Sequence, residues 1–141
     1  MRTPHVLVID DEAHITAVIA HRLRADGLVV VEAYDAEAAL RAARHTRFDV
    51  IVCDLHLPGV PGLELCQRLA VEPATARTPV LIISGAAHEL NRYDLATSNI
   101  VGVLAKPFSP RALGERCAEI ARQATRGAID ESIDSALDQA A

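Results

Sequence analysis

Short runs of consecutive apolar residues, each ending abruptly in polar ones, punctuate this chain. Val6-Leu7-Val8-Ile9 ends in Asp10-Asp11, and Val50-Ile51-Val52-Cys53 ends in Asp54. Val80-Leu81-Ile82-Ile83 runs into Ser84-Gly85, and Ile100 through Leu104 runs into Ala105-Lys106-Pro107. Gly27 introduces a fifth run, Leu28-Val29-Val30-Val31. These runs are apolar throughout rather than alternating, as strands covered on both faces should be.

Helical spacing fills the intervals. Ile15, Val18, Ile19 and Leu23 repeat at one helix face and stop near Asp26-Gly27. Ala36 to His45 follows Asp35, which can cap it, and turns Ala39, Leu40 and Ala43 inward. Gly62 to Glu72 presents Leu63, Cys66 and Leu69, and Pro73 terminates it. Ala86 to Ala96 is a weaker helix, interrupted in propensity by Asn91 and Tyr93. Ser109-Pro110 opens the last core helix as a cap followed by proline at its first position, with Leu113, Cys117, Ile120 and Ala121 as its stripe.

Five strands alternating with five helices predict an α/β fold, a doubly wound five-stranded parallel sheet with helices on both faces, joined by right-handed crossovers. The expected domain covers residues 1–124. Beyond Gly127 the chain is acidic, with Ile129, Ile133, Ala136, Leu137 and Ala140 at roughly helical spacing. Residues 125–141 are read as a C-terminal tail: a short helix, a dimerising segment, the start of a linker, or a frayed end.

The 141 residues fit one domain, and 50% apolar residues with few aromatics make it globular. Fourteen basic against 19 acidic residues, for a net charge of −5 with no block of like charges, disfavour direct nucleic-acid binding. Cys53, Cys66 and Cys117 have no metal-ligand or redox spacing and read as buried residues of a reducing compartment. Neither a signal-peptide run nor a membrane-spanning run is present, so the expected location is the cytoplasm, without membrane insertion.

Ligands of open parallel sheets bind beyond the carboxyl ends of the strands, where the strand order reverses. With strand order 2-1-3-4-5, Asp10, Asp11 and Asp54 share one pocket. Three clustered carboxylates repel one another unless a cation sits among them. Oxygen-only ligation favours Mg²⁺, with Asp11, Asp54 and the backbone carbonyl of His56 as direct ligands and Asp10 holding a metal-bound water. Lys106 can place its ammonium beside Asp54, and the bond before Pro107 is a candidate for cis geometry. Ser84 offers either a hydroxyl for a phosphoryl oxygen or a cap for the fourth helix.

Val6 to Glu12, Asp49 to Gly59 with Gly62, and Lys106-Pro107-Phe108 together make the chain resemble the receiver domain of bacterial two-component response regulators, over roughly Val6 to Ala124. The resemblance implies a flavodoxin-like fold and a phosphoacceptor signalling domain that takes a phosphoryl group from a phosphohistidine onto Asp54. It also implies obligatory Mg²⁺, with Asp10 and Asp11 as the acidic pair, Ser84 as switch hydroxyl and Lys106 as active-site lysine. Implied partners are a sensor histidine kinase or histidine phosphotransfer protein and a downstream effector protein or domain, and a homodimer is compatible. Such a domain acts on itself and turns over no separate substrate.

One departure bears on output: the family usually carries an aromatic residue three positions before the lysine, and here that position is Val103. The opening methionine favours a stand-alone receiver over one cut from a longer protein. Two other readings compete. A degenerate receiver, binding partners without phosphorylation, would be marked by loss of an acid or the lysine, yet all are present. A hydrolase of the haloacid dehalogenase type would need a second acid two residues after its nucleophile, where His56 stands.

Overall fold

The computed structural model describes residues 3–85 and 89–124. Its elements are β1 (His5–Ile9), α1 (Ala13–Ala25), β2 (Val29–Ala33), α2 (Ala36–His45), β3 (Val50–Asp54), α3 (Gly62–Val71), β4 (Val80–Ser84), α4 (Arg92–Ala96), β5 (Ile100–Ala105) and a last helix, α5, over 110–124. The strands form one parallel sheet in the order β2-β1-β3-β4-β5. The alternation of element types predicted this architecture, and the strand order puts β1 and β3 side by side at the reversal.

Successive side chains of a strand point to opposite faces, so an apolar run inside a covered sheet feeds two cores. One core gathers Leu7, Ile9, Ile51, Cys53 and Ile82 with Ala39 and Ala43 of α2 and Leu65, Cys66 and Leu69 of α3. The other gathers Val6, Val8, Val50, Val52, Leu81 and Ile83 with Ile19 and Leu23 of α1 and Leu113, Cys117 and Ile120 of α5. The three central strands are thus apolar at nearly every position because each residue has a helix layer to meet.

The edges depart from the sequence expectation. β5 alternates between half-buried and exposed positions, with Val101 51% and Val103 40% exposed. An edge strand lacks a neighbour on one side, and the short α4 does not extend over it. Val18 is also turned out, 48% exposed, and the inward face of α1 is Thr16, Ile19, Ala20 and Leu23. Thr16 fits there because its hydroxyl donates to the Ala13 carbonyl at 2.9 Å, which satisfies the buried oxygen. In α3, Leu65 is fully buried and Leu63 only partly.

Helix ends follow local chemistry. Asp35 accepts from the Ala38 amide at 2.7 Å, as its position predicted. α4 begins only at Arg92, because Asn91 and Asp94 form a reciprocal capping box that fixes its first turn. Ser84 therefore does not cap this helix. Gly27 adopts a φ of 88° where α1 turns into β2, a conformation that costs glycine little. The expected tail, including Gly127, and residues 86–88 lie outside the described residues. No helix among the described residues is long and apolar enough to cross a membrane.

The cysteines are free and buried, as read from their spacing. Burial pushes the Cys117 thiol up to about 12, and a hydrogen bond with Cys66, together with burial, holds Cys53 well above the ordinary thiol range. Thiolate, not thiol, is the reactive species. Titration with a disulfide reagent should therefore find no fast-reacting thiol in the native protein and all three after denaturation. A rapid native reaction would show that the cores open far more often than their packing implies.

Candidate functional site

The carboxyl ends of β1, β3, β4 and β5 meet in one cleft. Asp10 follows β1, Asp54 closes β3, Ser84 closes β4, and Lys106 follows β5. The β1 and β3 registers run in step, Ile9 opposite Cys53, so the acids after them are brought level. Carboxylate oxygens of Asp10, Asp11 and Asp54 all lie within 4.8 Å of one another. Asp10 and Asp54 are buried, and Asp11 is exposed at the rim.

Lys106 crosses from the far edge to join them. Its Nζ donates to Asp10 Oδ2 at 3.2 Å and to Asp54 Oδ2 at 3.1 Å. Its amide donates to the Ser84 carbonyl at 3.2 Å, and the Lys106–Pro107 peptide is cis, the isomer for which the sequence offered a candidate. Burial pulls the Lys106 ammonium down, but the Asp54 hydrogen bond and the charges of Asp10 and Asp54 outweigh it, leaving the pKa above the ordinary lysine value.

Both buried carboxylates are also oriented by main-chain donors. The Glu12 amide donates to Asp10 Oδ1 at 3.0 Å, and the His56 amide to Asp54 Oδ1 at 3.2 Å. Burial pushes the Asp10 carboxyl up; the Glu12 hydrogen bond and Lys106 oppose this, and the Asp54 charge adds to it, for a net rise above the ordinary carboxylate range. Three acids against one ammonium leave excess negative charge in a partly dry cleft. The donors are all hard oxygens and lie close enough to share an ion, so the residues fit a divalent cation.

The structure thus brings together Asp10, Asp11, Asp54 and Lys106, with Ser84 buried at the neighbouring strand end. His56 presents an exposed side chain and an amide directed at Asp54. Sequence reasoning did not find the Glu12 and His56 amide donors, because main-chain groups carry no signature in residue type.

It also gave Gly62 no physical role, although the position is tightly constrained. Its amide donates to the Leu55 carbonyl at 2.8 Å, and a Cβ there would fall 2.7 Å from the Leu55 Cα and against the Asp54 carbonyl. The start of α3 is thereby pressed onto the backbone that carries Asp54. Gly62→Ala should lower stability by about 1–3 kcal/mol, as overpacking against backbone does. Chemical denaturation checks this, and an unchanged midpoint would mean that the loop after β3 yields freely.

A family model described as the response regulator receiver domain matches residues 6–118. Among curated proteins, the transcriptional regulatory protein ResD of Bacillus subtilis is 29% identical over 121 residues, which cover 86% of this chain and 49% of ResD. The phosphate regulon transcriptional regulatory protein PhoB of Pseudomonas aeruginosa is 30% identical over 129 residues, 92% of this chain and 56% of PhoB. This chain spans about half the length of these curated relatives. Among solved structures, the Francisella response regulator 1452 receiver domain superposes with a TM-score of 0.77 at 30% identity, covering 86% of this chain and 98% of that one. The chemotaxis response regulator CheY4 of Vibrio cholerae gives 0.77 at 28% identity, over 84% of this chain and 99% of that one.

Proposed function

This chain belongs to the response regulator receiver domain family, and on that premise we propose that it is a phosphoacceptor switch in which Asp54 takes a phosphoryl group from a phosphohistidine. The donor is a sensor histidine kinase or a histidine phosphotransfer protein, the setting is cytoplasmic, and the receiver unit is residues 1–124. The observation that carries this reading is the Lys106 ammonium held between the buried Asp10 and Asp54 carboxylates at the base of an acidic cleft.

In the transfer, a carboxylate oxygen of Asp54 forms the new O–P bond as the N–P bond of the phosphohistidine breaks, and the imidazole leaves with the electron pair. The hydrogen bonds from Lys106 and the His56 amide fix the rotation of the Asp54 carboxylate before attack. Lys106, kept protonated by the acids around it, neutralises charge on the incoming oxygens. Ser84 at the end of β4 supplies a hydroxyl for a phosphoryl oxygen, and so couples the adduct to β4 and the segment after it.

Asp11, Asp54 and the His56 carbonyl would hold Mg²⁺, with Asp10 acting through a bound water. Mg²⁺ would supply charge neutralisation between the acids and the phosphoryl oxygens. A bound cation would favour the charged form of Asp10, which burial disfavours. Hydrolysis of the acyl phosphate resets the domain, which turns over no separate substrate.

The test is the intact mass of the protein after incubation with acetyl phosphate, with Mg²⁺ and with Mg²⁺ chelated. One phosphoryl mass is expected with the metal and none without it, and hydroxylamine should remove the adduct as it does an acyl phosphate. A rapidly quenched sample lacking any adduct, with acetyl phosphate and with a phosphohistidine donor, would leave the phosphorylation-independent interaction module. That is the reading favoured by Val103 in place of an aromatic residue.

A further inference from the structure

Two thiols meet directly beneath the acceptor. Cys53 lies one residue before Asp54 on β3, Cys66 lies on α3, and both are fully buried in the same core. A hydrogen bond joins them, and the Cys53 Sγ in turn donates to the Asp54 carbonyl at 3.2 Å. The phosphoryl chemistry makes no use of this pair. Cys117 sits in the other core, with the sheet between it and them.

The path of the chain explains why the pair is level. α3 returns antiparallel to β3 and begins at Gly62, where a Cβ would run into the Asp54 carbonyl and sit 2.7 Å from the Leu55 Cα. Residues four apart share one side of a helix, so Cys66 faces the strand as Gly62 does. The step from Gly62 to Cys66 advances about 6 Å along α3, and the step from Leu55 back to Cys53 covers about 6.6 Å of β3. A disulfide needs Cα atoms no more than about 7 Å apart, and a helix seated this closely on its strand is placed to meet that need. We propose that Cys53 and Cys66 form a redox site, oxidised by a peroxide to a disulfide that ties α3 to β3 and slows phosphoryl transfer to Asp54. The effect on transfer rests on the phosphoacceptor reading above; the disulfide does not.

Cys66 meets the oxidant first, because it travels with α3, whose first turn has no side-chain cap. Its sulfur takes one oxygen of hydrogen peroxide as the O–O bond breaks, which leaves a sulfenic acid and one water. When α3 reseats, the Cys53 sulfur attacks the Cys66 sulfur, the S–O bond breaks, and the hydroxyl leaves with the Cys53 proton as a second water. The thiols lose two electrons, and the peroxide is reduced to two waters. Reaction waits for α3 to lift, so it is slow, and thiol reductants reverse it, as they do sensing disulfides of the cytosol. The bridge reaches Asp54 in two ways. The Asp54 carbonyl loses the Cys53 donor. The sulfurs also close to a bond of about 2.05 Å, and Gly62 leaves α3 no room to follow. The shift is then taken up by the backbone that carries Asp54 and the His56 amide bonded to it. Displacing a nucleophile by part of an ångström costs about tenfold in rate.

The test treats the reduced full chain with hydrogen peroxide, removes the peroxide, maps peptides without reduction, and times phosphoryl uptake from acetyl phosphate with Mg²⁺. The peptides of Cys53 and Cys66 should be joined and Cys117 should remain a thiol. Uptake should be about tenfold slower than in the reduced chain and recover with dithiothreitol. Cys66→Ala should keep its uptake and lose the sensitivity to peroxide, whereas Cys117→Ala should keep the sensitivity. Recovery with dithiothreitol carries the test in the native chain if Cys66→Ala does not fold. A bridge between chains, or oxygen added to either thiol with no Cys53–Cys66 bridge, would overturn the site. A bridged chain that takes up phosphoryl groups as fast as the reduced one would overturn its control of Asp54. A reduced chain that takes up none would sink the phosphoacceptor reading and this control with it, while the peptide map still decides the bridge.

Discussion

Asp54→Ala incubated with acetyl phosphate and Mg²⁺ is expected to gain no phosphoryl mass under conditions that modify the native chain. The prediction is sharper than a general loss of function, because two other carboxylates share the cleft within 4.8 Å. The Asp10 side chain has no exposed surface, against 6% for Asp54, so it has no approach for a donor. Asp11 is exposed and within reach of one. If Asp11 were the acceptor, the adduct would survive Asp54→Ala and vanish in Asp11→Ala. If Asp54 is, Asp54→Ala removes it outright, while Asp11→Ala retains the nucleophile and slows its modification through weaker metal binding. Intact mass on rapidly quenched samples, followed by peptide mapping, separates the two, with circular dichroism to confirm that each variant is folded.

Much of this site was legible because strand ends are. An apolar run that stops at an acid, a hydroxyl or a lysine fixes both the element and the place where the polar side chain emerges. Asp10, Asp54, Ser84 and Lys106 were located in that way, and the parallel topology then made them converge. What stayed hidden was set by neighbours rather than by residue type. Val101 and Val103 read like any buried strand residues, and only their place on an edge strand exposes them. Val18 fits a helical stripe in sequence, yet Thr16 takes the buried position because its hydroxyl has a carbonyl one turn back. The late start of α4 was readable in principle from Asn91 and Asp94 at capping-box spacing, a pattern that outweighs the weak helical propensity before it.

Asp10→Asn should move two observables in opposite directions: stability without metal up, response to Mg²⁺ down. The Asp10 carboxyl is raised above its ordinary value, mainly by burial and further by the Asp54 charge, against the Glu12 hydrogen bond and Lys106. For a group whose folded pKa lies above its unfolded one, the stabilising contribution is complete below the unfolded pKa. It is lost as pH rises through the folded pKa. Above the folded pKa the native chain has lost that contribution, and each unit of displacement corresponds to about 1.4 kcal/mol. An asparagine keeps an oxygen for the Glu12 amide, removes the repulsion with Asp54, and leaves Lys106 its bond to Asp54 at 3.1 Å. The variant should therefore unfold at higher denaturant than the native chain in chelator at pH 7, and the difference should vanish in acid as Asp10 protonates. With Mg²⁺ the native chain should gain stability, because the cation offsets the charge that the fold alone accommodates poorly, and Asp10→Asn should gain much less. A lower midpoint for Asp10→Asn in chelator would show that the Asp10–Lys106 ion pair outweighs both burial and repulsion. The acid cluster would then be a structural ion-pair network rather than a site strained in wait for a cation.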